Sequence, residues 1–458
     1  MARRIICHAF YTFVTPQPSK YPLMRLLIFN PENDLALASN DPHYTPPASA
    51  RQMAADLQDL PRLWAGEGDV VIRRAAPCSP YSPETNNTNG GPTFNFQLST
   101  LYSQLSTFNF QLSARPAGTL NPSRAFNFQL ILPWGWSPLL VRQLRERGVP
   151  ATLLPTAGQL AAYRTSASRE TAVRLLRQLR TAWPEAFQSG ALVGESAWCT
   201  SEADVLRSIA DYGGTAMLKA PWSGSGRGVH PVHELPLPRQ TLSWVRRTLQ
   251  TQGGVEVEPL YHKVQDLAME FWAEGGRVRY EGLSLFETTD GGVYAGNLVA
   301  TEPEKEARLA SYLSPTLLHD VRDRLTQLLN EAGLPTWYTG PLGIDMMIVA
   351  PSPTFNFPLG PQGRLTLQEL STFNSQPSTL NFQLSARPAG TLDPSRTSNF
   401  QLSTSNFQLH PLVEINLRMT MGWVALQLTS RLPDGETGTF SVRRKDGRYQ
   451  ALFSGHSV

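Results

Sequence analysis

Cysteine is scarce in this chain. The 458 residues include three, Cys7, Cys78 and Cys199, with no CxxC pair and no zinc-ligand spacing among them. That excludes a disulfide-stapled scaffold and a zinc module, and it points to a reducing compartment, the cytoplasm. Charge is scarce as well. Charged residues make up 17% of the chain, a low value for a soluble protein that hints at uncharged filler. The net charge of +3 is too near neutral to imply nucleic acid or an acidic membrane surface as a partner. Long hydrophobic runs are missing: nothing approaches the roughly 20 residues that a membrane span needs. What remains is a length and a hydrophobic content of 41% ample for two or three globular domains.

The first 23 residues, MARRIICHAFYTFVTPQPSKYPL, carry early arginines, but His8 and Tyr11 interrupt the short apolar run. No small-residue cleavage site follows, which speaks against a signal peptide. Met24 opens MRLLIFNPENDLALA, which reads as a first strand and its loop. Translation is therefore expected to start at Met24, with residues 1–23 a non-native extension.

The filler is localised. FNFQLST at 94–100 returns in part at 108–112, 126–130, 381–384, 399–402 and 406–409. A longer string, NFQLSARPAGTLNPSR at 109–124, recurs at 381–396 with Asp393 in place of Asn121. These copies form two distant clumps with no fixed period, unlike a solenoid. Between Glu84 and Leu130 the only charged residues are Arg115 and Arg124. Three copies of the heptanucleotide TTCAACT read as TTC AAC TTT CAA CTT TCA ACT, which encodes Phe-Asn-Phe-Gln-Leu-Ser-Thr. The stretches at about 79–130 and 351–409 are thus expected to be translated DNA repeats in tolerated, disordered surface loops, whose closure entropy grows only logarithmically with length. An interaction segment is the alternative that such a composition allows.

With those stretches set aside, the chain reads as α/β. Leu26–Phe29 and 70–72 are short buried strands. Ser168 caps a helix whose Val173, Leu176 and Leu179 share a face. Ser314 and Pro315 open another with a stripe of Leu317, Leu318, Val321, Leu325, Leu328 and Leu329, and Gly333 ends it. Further strands are expected at 215–219, 255–260, 267–272, 277–286, 293–299, 344–349 and 412–416.

Four segments carry chemistry. MLKAPWSGSGRGV at 217–229 ends a strand at Lys219 and continues into a loop with Gly224, Gly226 and Gly228. Such a loop frees backbone N–H groups for phosphate oxygens, with Lys219 and Arg227 supplying charge; a plain hairpin turn is the other reading. The spacing is not that of a P-loop. VEVEPLYHKVQDLAMEFW at 255–272 offers Asp266 and Glu270 at the start of a strand. Either carboxylate suits ribose hydroxyls, and a solvated strand edge is the plainer alternative. GPLGIDMMIV at 340–349 and HPLVEINLRMTMG at 410–422 set Asp345 and Glu414 inside apolar strands. Buried carboxylates are costly unless paired or metal-bound. Asn416 faces the same side as Glu414. Two carboxylates and an amide oxygen form a hard donor set suited to Mg²⁺, and a structural salt bridge is the alternative. Once the second insert is removed, the two strands are expected to be neighbours in a hairpin, with an unpaired carboxylate cluster between them.

The order of these elements resembles the ATP-grasp superfamily: a strand lysine, a glycine-rich loop, Glu258-Pro259-Leu260 before Asp266, a G-x-D strand, and Glu-Ile-Asn-Leu-Arg at 414–418. The likeness spans about residues 160–425 without the insert. MRLLIFNPENDLALA and the PWGW at 133–136 further resemble an ATP-grasp group of Bacteroidales bacteria. The resemblance implies a pre-grasp α/β domain at 24–160 and an ATP-grasp domain at 161–455 that clamps nucleotide between its two subdomains. It implies ATP as cofactor with Mg²⁺, Mn²⁺ being the other candidate. Lys219 would bind phosphate oxygens, and Ser223, Gly224, Ser225, Gly226, Arg227 and Gly228 would close over the phosphates. Glu258 to Leu260 would run along adenine, Asp266 would take the ribose with Glu270 as second choice, and Asp345, Glu414 and Asn416 would hold the metal. Arg418 would steady the transferring phosphoryl group. Arg169 stands where many members have a phosphate-binding lysine, a departure that matters because the two are not geometrically equivalent. The implied activity is ligation of a small-molecule carboxylate to an amine through an acyl-phosphate. The alternatives are phosphorylation of a hydroxyl, or nucleotide binding without turnover. No nucleic acid, membrane or oligomeric state is implied.

Overall fold

The computed structural model describes residues 24–73, 129–224, 228–289, 292–351, 407–433, 435–453 and 456–457. Nearly all of the two repeat stretches, and residues 1–23, lie outside the described residues. The expected α/β class is found: helices and three sheets. In the first sheet β1 (Arg25–Ile28) lies between β2 (Val70–Val71) and β3 (Leu130–Pro133), all parallel. A parallel sheet is covered on both faces, which explains the unbroken apolar run of its central strand. Leu26 and Ile28 pack with Ile131, Leu140 and Leu144 on one side. Leu27 and Phe29 pack with Trp134, Trp423 and Phe440 on the other.

The second sheet is antiparallel and comprises β4 (Ala197–Cys199), β5 (Ala216–Lys219), β6 (Val229–Val232) and β7 (Val255–Pro259) in the order β4-β7-β5-β6. Val205, Ile209 and Val245 of two flanking helices pack against Leu218 and Val257 to make its core.

The third sheet holds β8 (Lys263–Glu274), β9 (Arg277–Thr288), β10 (Tyr294–Val299), β11 (Gly340–Val349), β12 (Gln408–Asn416), β13 (Gly438–Lys445), β14 (Arg448–Phe453) and β15 (His456–Ser457). Their order is β12-β11-β8-β9-β10-β13-β14-β15. One face carries Met269, Phe271, Ile344 and Ile348 into a core with the helices Arg169–Ala182 and Pro315–Glu331. Both helices begin as their sequences dictate. Ser168 Oγ accepts from Glu170 N, Ser314 Oγ accepts from Leu317 N, and Pro315 takes the first turn, where its missing N–H costs nothing. Gly333, at φ +72, follows the second helix in the left-handed region that favours glycine.

Three expectations are corrected at strand edges. Leu130 belongs to β3, and Gln408 and Leu409 belong to β12, so ordered strands reach inside the stretches assigned to filler. Strand β8 begins at Lys263, so Asp266 and Glu270 lie within it rather than flanking its start.

Candidate functional site

The opposite face of the third sheet looks across a cleft of about 1160 Å³ toward the second sheet and the loop after β1. Strand alternation puts Asp266, Ala268 and Glu270 of β8 on this face. Register then aligns the carboxylates: Asp345 of β11 pairs with Ala268 on one side and with Glu414 of β12 on the other. The expected adjacency of β11 and β12 is therefore found, at the level of the two acids. Beyond that pair the register shifts, from Asp345↔Glu414 to Met347↔His410. The extra β12 residues form a bulge that includes Pro411, which has no N–H to give a ladder.

The cleft brings together Arg169, Lys219, Ser223, Gly224, Glu258, Leu260, Asp266, Asp345, Glu414, Asn416 and Arg418, all singled out from the sequence. Ser225, Gly226 and Arg227 lie outside the described residues. Gly228 closes the loop between β5 and β6, its carbonyl accepting from Ala220 N at 2.8 Å. The segment is thus a hairpin loop, and its Ser223–Gly224 end lies in the cleft wall. Gly224 approaches the N-terminal unit so closely that a Cβ there would lie 2.8 Å from Asp34 Oδ2.

Charge runs through the cleft as a chain of partners. Lys219 Nζ is 2.7 Å from Glu258 Oε1 and 4.0 Å from Glu256 Oε2. The first contact is a close ion pair, and it leaves the remaining Nζ donors without a partner among the described residues. Arg169 is buried; its Nη1 donates to Ala220 O and Ser223 Oγ, each at 2.6 Å, and its Nη2 donates to Glu414 Oε2 at 2.7 Å. Its Nε sits 3.9 Å from Glu256 and has no hydrogen-bond partner among the described residues. Arg418 Nε donates to Asp34 Oδ1 at 3.0 Å.

Acidities follow from this placement. Burial pushes Glu256 up to about 7 against the pull of Lys219. Burial, then the facing Glu414, push Asp345 up to about 7, although Arg418 and a hydrogen bond from Asn416 act the other way. For Lys219 and Arg169 burial favours the neutral form, but the carboxylates outweigh it and hold both cations charged. His410 is sealed in with neither ring nitrogen bonded among the described residues, and burial plus Lys219 push it down to about 3.

Several placements differ from expectation. Glu414 is not an unpaired acid, because Arg169 already grips one of its oxygens. The Glu258 side chain, expected along adenine, turns its carboxylate to Lys219. Asp266 accepts from Lys263 Nζ at 2.5 Å and Thr288 Oγ1 at 2.7 Å. Glu270 is almost wholly buried and accepts from Thr420 Oγ1 at 2.7 Å. Sequence reasoning missed Glu256 and His410. Glu256 alternates with Val255 and Val257, and an acid inside such a strand was a usable signal. His410 had none beyond its apolar neighbours. The loop Asn30–Asp34 supplies Asp34, whose carboxylate holds Arg418.

Among the described residues no group of three or more His, Cys, Asp or Glu side chains gathers to hold a metal ion. The candidate cation site rests instead on Asp345, Glu414 and Asn416. Its donors are all hard oxygens, and the mutual push of its two carboxylates is the electrostatic condition that a divalent cation relieves. Also among the described residues, no helix is long and apolar enough to cross a membrane.

No family model matches the chain, and no curated protein matches it. Among solved structures, it is similar to N5-carboxyaminoimidazole synthetase from Staphylococcus aureus complexed with ADP, at 11% identity and TM-score 0.33, over 71% of this chain and 66% of that one. It is similar to the biotin carboxylase domain of Hydrogenobacter thermophilus 2-oxoglutarate carboxylase with MgADP, ADP and bicarbonate, at 10% identity and TM-score 0.38, over 76% and 63%. A protein from Archaeoglobus fulgidus assigned to the ATP-grasp superfamily matches at 10% identity and TM-score 0.38, over 94% and 99%. Likenesses of this size concern the course of the backbone and leave the chemistry to the residues.

Proposed function

We propose that the chain is an ATP-grasp enzyme that uses ATP and Mg²⁺ to join a carboxylate to an amine through an acyl-phosphate. The observation that carries the reading is the pairing of Asp345 with Glu414 across β11 and β12, in a cleft whose other wall presents Lys219 with unused donors. Asp345, Glu414 and Asn416 hold Mg²⁺ in this reading, and the ion would supply charge neutralisation between phosphates. Lys219 and the Arg169 Nε direct N–H groups at phosphate oxygens. Arg418, oriented by Asp34, steadies negative charge at the transferring group. Leu260 and the neighbouring backbone flank the base, and Asp266 takes the ribose after exchanging its Lys263 contact. Residues 24–160 form the pre-grasp unit and 161–455 the ATP-grasp unit. The three cysteines and the absence of a long apolar helix among the described residues support a cytoplasmic setting.

The test is calorimetry of ATP binding with and without Mg²⁺, followed by ADP release with panels of acids and amines. Binding that requires Mg²⁺, and an acid–amine adduct with ADP, are expected. A protein that binds no ATP in the presence of Mg²⁺ refutes the nucleotide reading, and a phosphorylated alcohol in place of an adduct refutes the ligase.

A further inference from the structure

Glu270 is a buried carboxylate that the nucleotide half of the cleft does not use. It is 1% exposed and lines the cleft. Oε1 accepts from Thr420 Oγ1, which in turn accepts from Trp423 N at 2.9 Å as the cap of the helix Met421–Leu428. Oε2 has no hydrogen-bond partner among the described residues. An orphaned carboxylate oxygen in such a place is expensive unless something fills the vacancy.

The space around it is kept clear by glycine. A Cβ at Gly422 would lie 2.2 Å from Glu270 Oε1 and 2.4 Å from Ser284 Oγ, and a Cβ at Gly343 would lie 2.8 Å from Glu270 Oε2. Ser284 Oγ accepts from Asn297 Nδ2 at 2.8 Å, and Asn297 Oδ1 accepts from the Tyr294 hydroxyl at 2.7 Å. Glu270, Ser284, Asn297 and Tyr294 therefore form a polar floor. Met53, Trp134 and Met421 also line the cleft and belong to one hydrophobic cluster, and Met421 is the neighbour of Gly422. Two cations act on Glu270, Arg418 before Lys305, and neither makes an ion pair with it among the described residues. A free acceptor on a polar floor, beside an apolar wall, selects a ligand with N–H donors and an apolar body.

We infer that Glu270 anchors the ammonium group of a primary-amine acceptor whose apolar body lies against Met53, Trp134 and Met421. This deepens the ligase reading by assigning the acceptor class, and it rests on that reading for the reaction but not for the binding. Burial pushes Glu270 up to about 8, and a bound cation is what returns such a carboxyl to its charged form.

The probe is benzylamine, titrated into the full chain by calorimetry, with MgATP affinity and melting temperature measured on the same samples. Wild type is expected to bind it. E270Q keeps the shape and loses the charge, so its affinity should fall roughly ten- to hundredfold with MgATP affinity unchanged and no loss of melting temperature. Gly422→Ala fills the cradle and should lose benzylamine in the same way. Equal affinity in wild type and E270Q, no benzylamine binding by wild type, or a parallel fall in MgATP affinity each overturns the assignment. Benzylamine binding that depends on Glu270 in a protein that ignores MgATP upholds the amine site and removes the ligase.

Discussion

Asp345 is where the proposed cation site can be separated from the fold. Its carboxyl rises from the ordinary 3.8 to about 7, through burial first and Glu414 second. An acid whose folded-state pKa exceeds its unfolded-state value costs stability. The cost is absent below the lower pKa, grows as pH rises between the two, and is complete above the upper one. At about 1.4 kcal/mol for each tenfold change in acidity, the whole interval corresponds to about 4 kcal/mol. The side chain is half-buried, and solvent screening reduces the figure to about 2 kcal/mol. Asp345→Asn removes the ionisation and keeps the shape. The variant should therefore be more stable than wild type by about 2 kcal/mol at about pH 8, with the gain fading toward about pH 4. It should also lose the rise in melting temperature that MgATP gives wild type. Urea denaturation at both pH values, and melting with and without MgATP, read the two effects. A variant less stable at the higher pH, or equally stabilised at both, refutes the electrostatic account. A variant that MgATP still stabilises fully removes Asp345 from the cation site.

Glu414→Gln should abolish ADP release yet cost about 1 kcal/mol in denaturant stability, because the amide still accepts from Arg169 without pairing its charge; full ADP release would eliminate the proposed metal site. Lys219→Ala should weaken ATP binding in calorimetry, and unchanged affinity would remove it from the phosphates. Arg169→Lys cannot reach Ser223, Ala220 and Glu414 together, and should lose about 2–4 kcal/mol in urea melts. Deleting 85–128 and 353–406 should leave the melting temperature unchanged; a loss of folding would show that the repeats are structural. Val349 pairs with Gln408, so a short turn suffices at the second site. The first must keep about a dozen residues, because β2 and β3 are both parallel to β1 and their connection is a crossover.

Much of the fold was legible because burial writes itself into periodicity. The β1 run, the capped helix at Pro315–Glu331 and the apolar strands around Asp345 and Glu414 all appear where pattern and capping chemistry place them. The pairing of Asp345 with Glu414 was legible once the repeats between them were discounted. The gripping of Glu414 by Arg169, and of Arg418 by Asp34, was not. Those contacts join residues 245 and 384 positions apart, and no local pattern encodes a partner at that distance. Glu270 was misplaced for a related reason. Its burial depends on Thr420 and Gly422, which reach it from another segment.

In the proposed reading, the run Glu258–Lys219–Glu256–Arg169–Glu414 would make arrival of a polyanion partly an exchange. Lys219 Nζ and Arg169 Nε offer free donors, but each cation already has a resident carboxylate whose hold a phosphate would have to loosen. Small inorganic anions must win the same exchange with far fewer contacts. The cleft should therefore ignore millimolar phosphate or sulfate, and nucleotide should enter more slowly than diffusion alone allows.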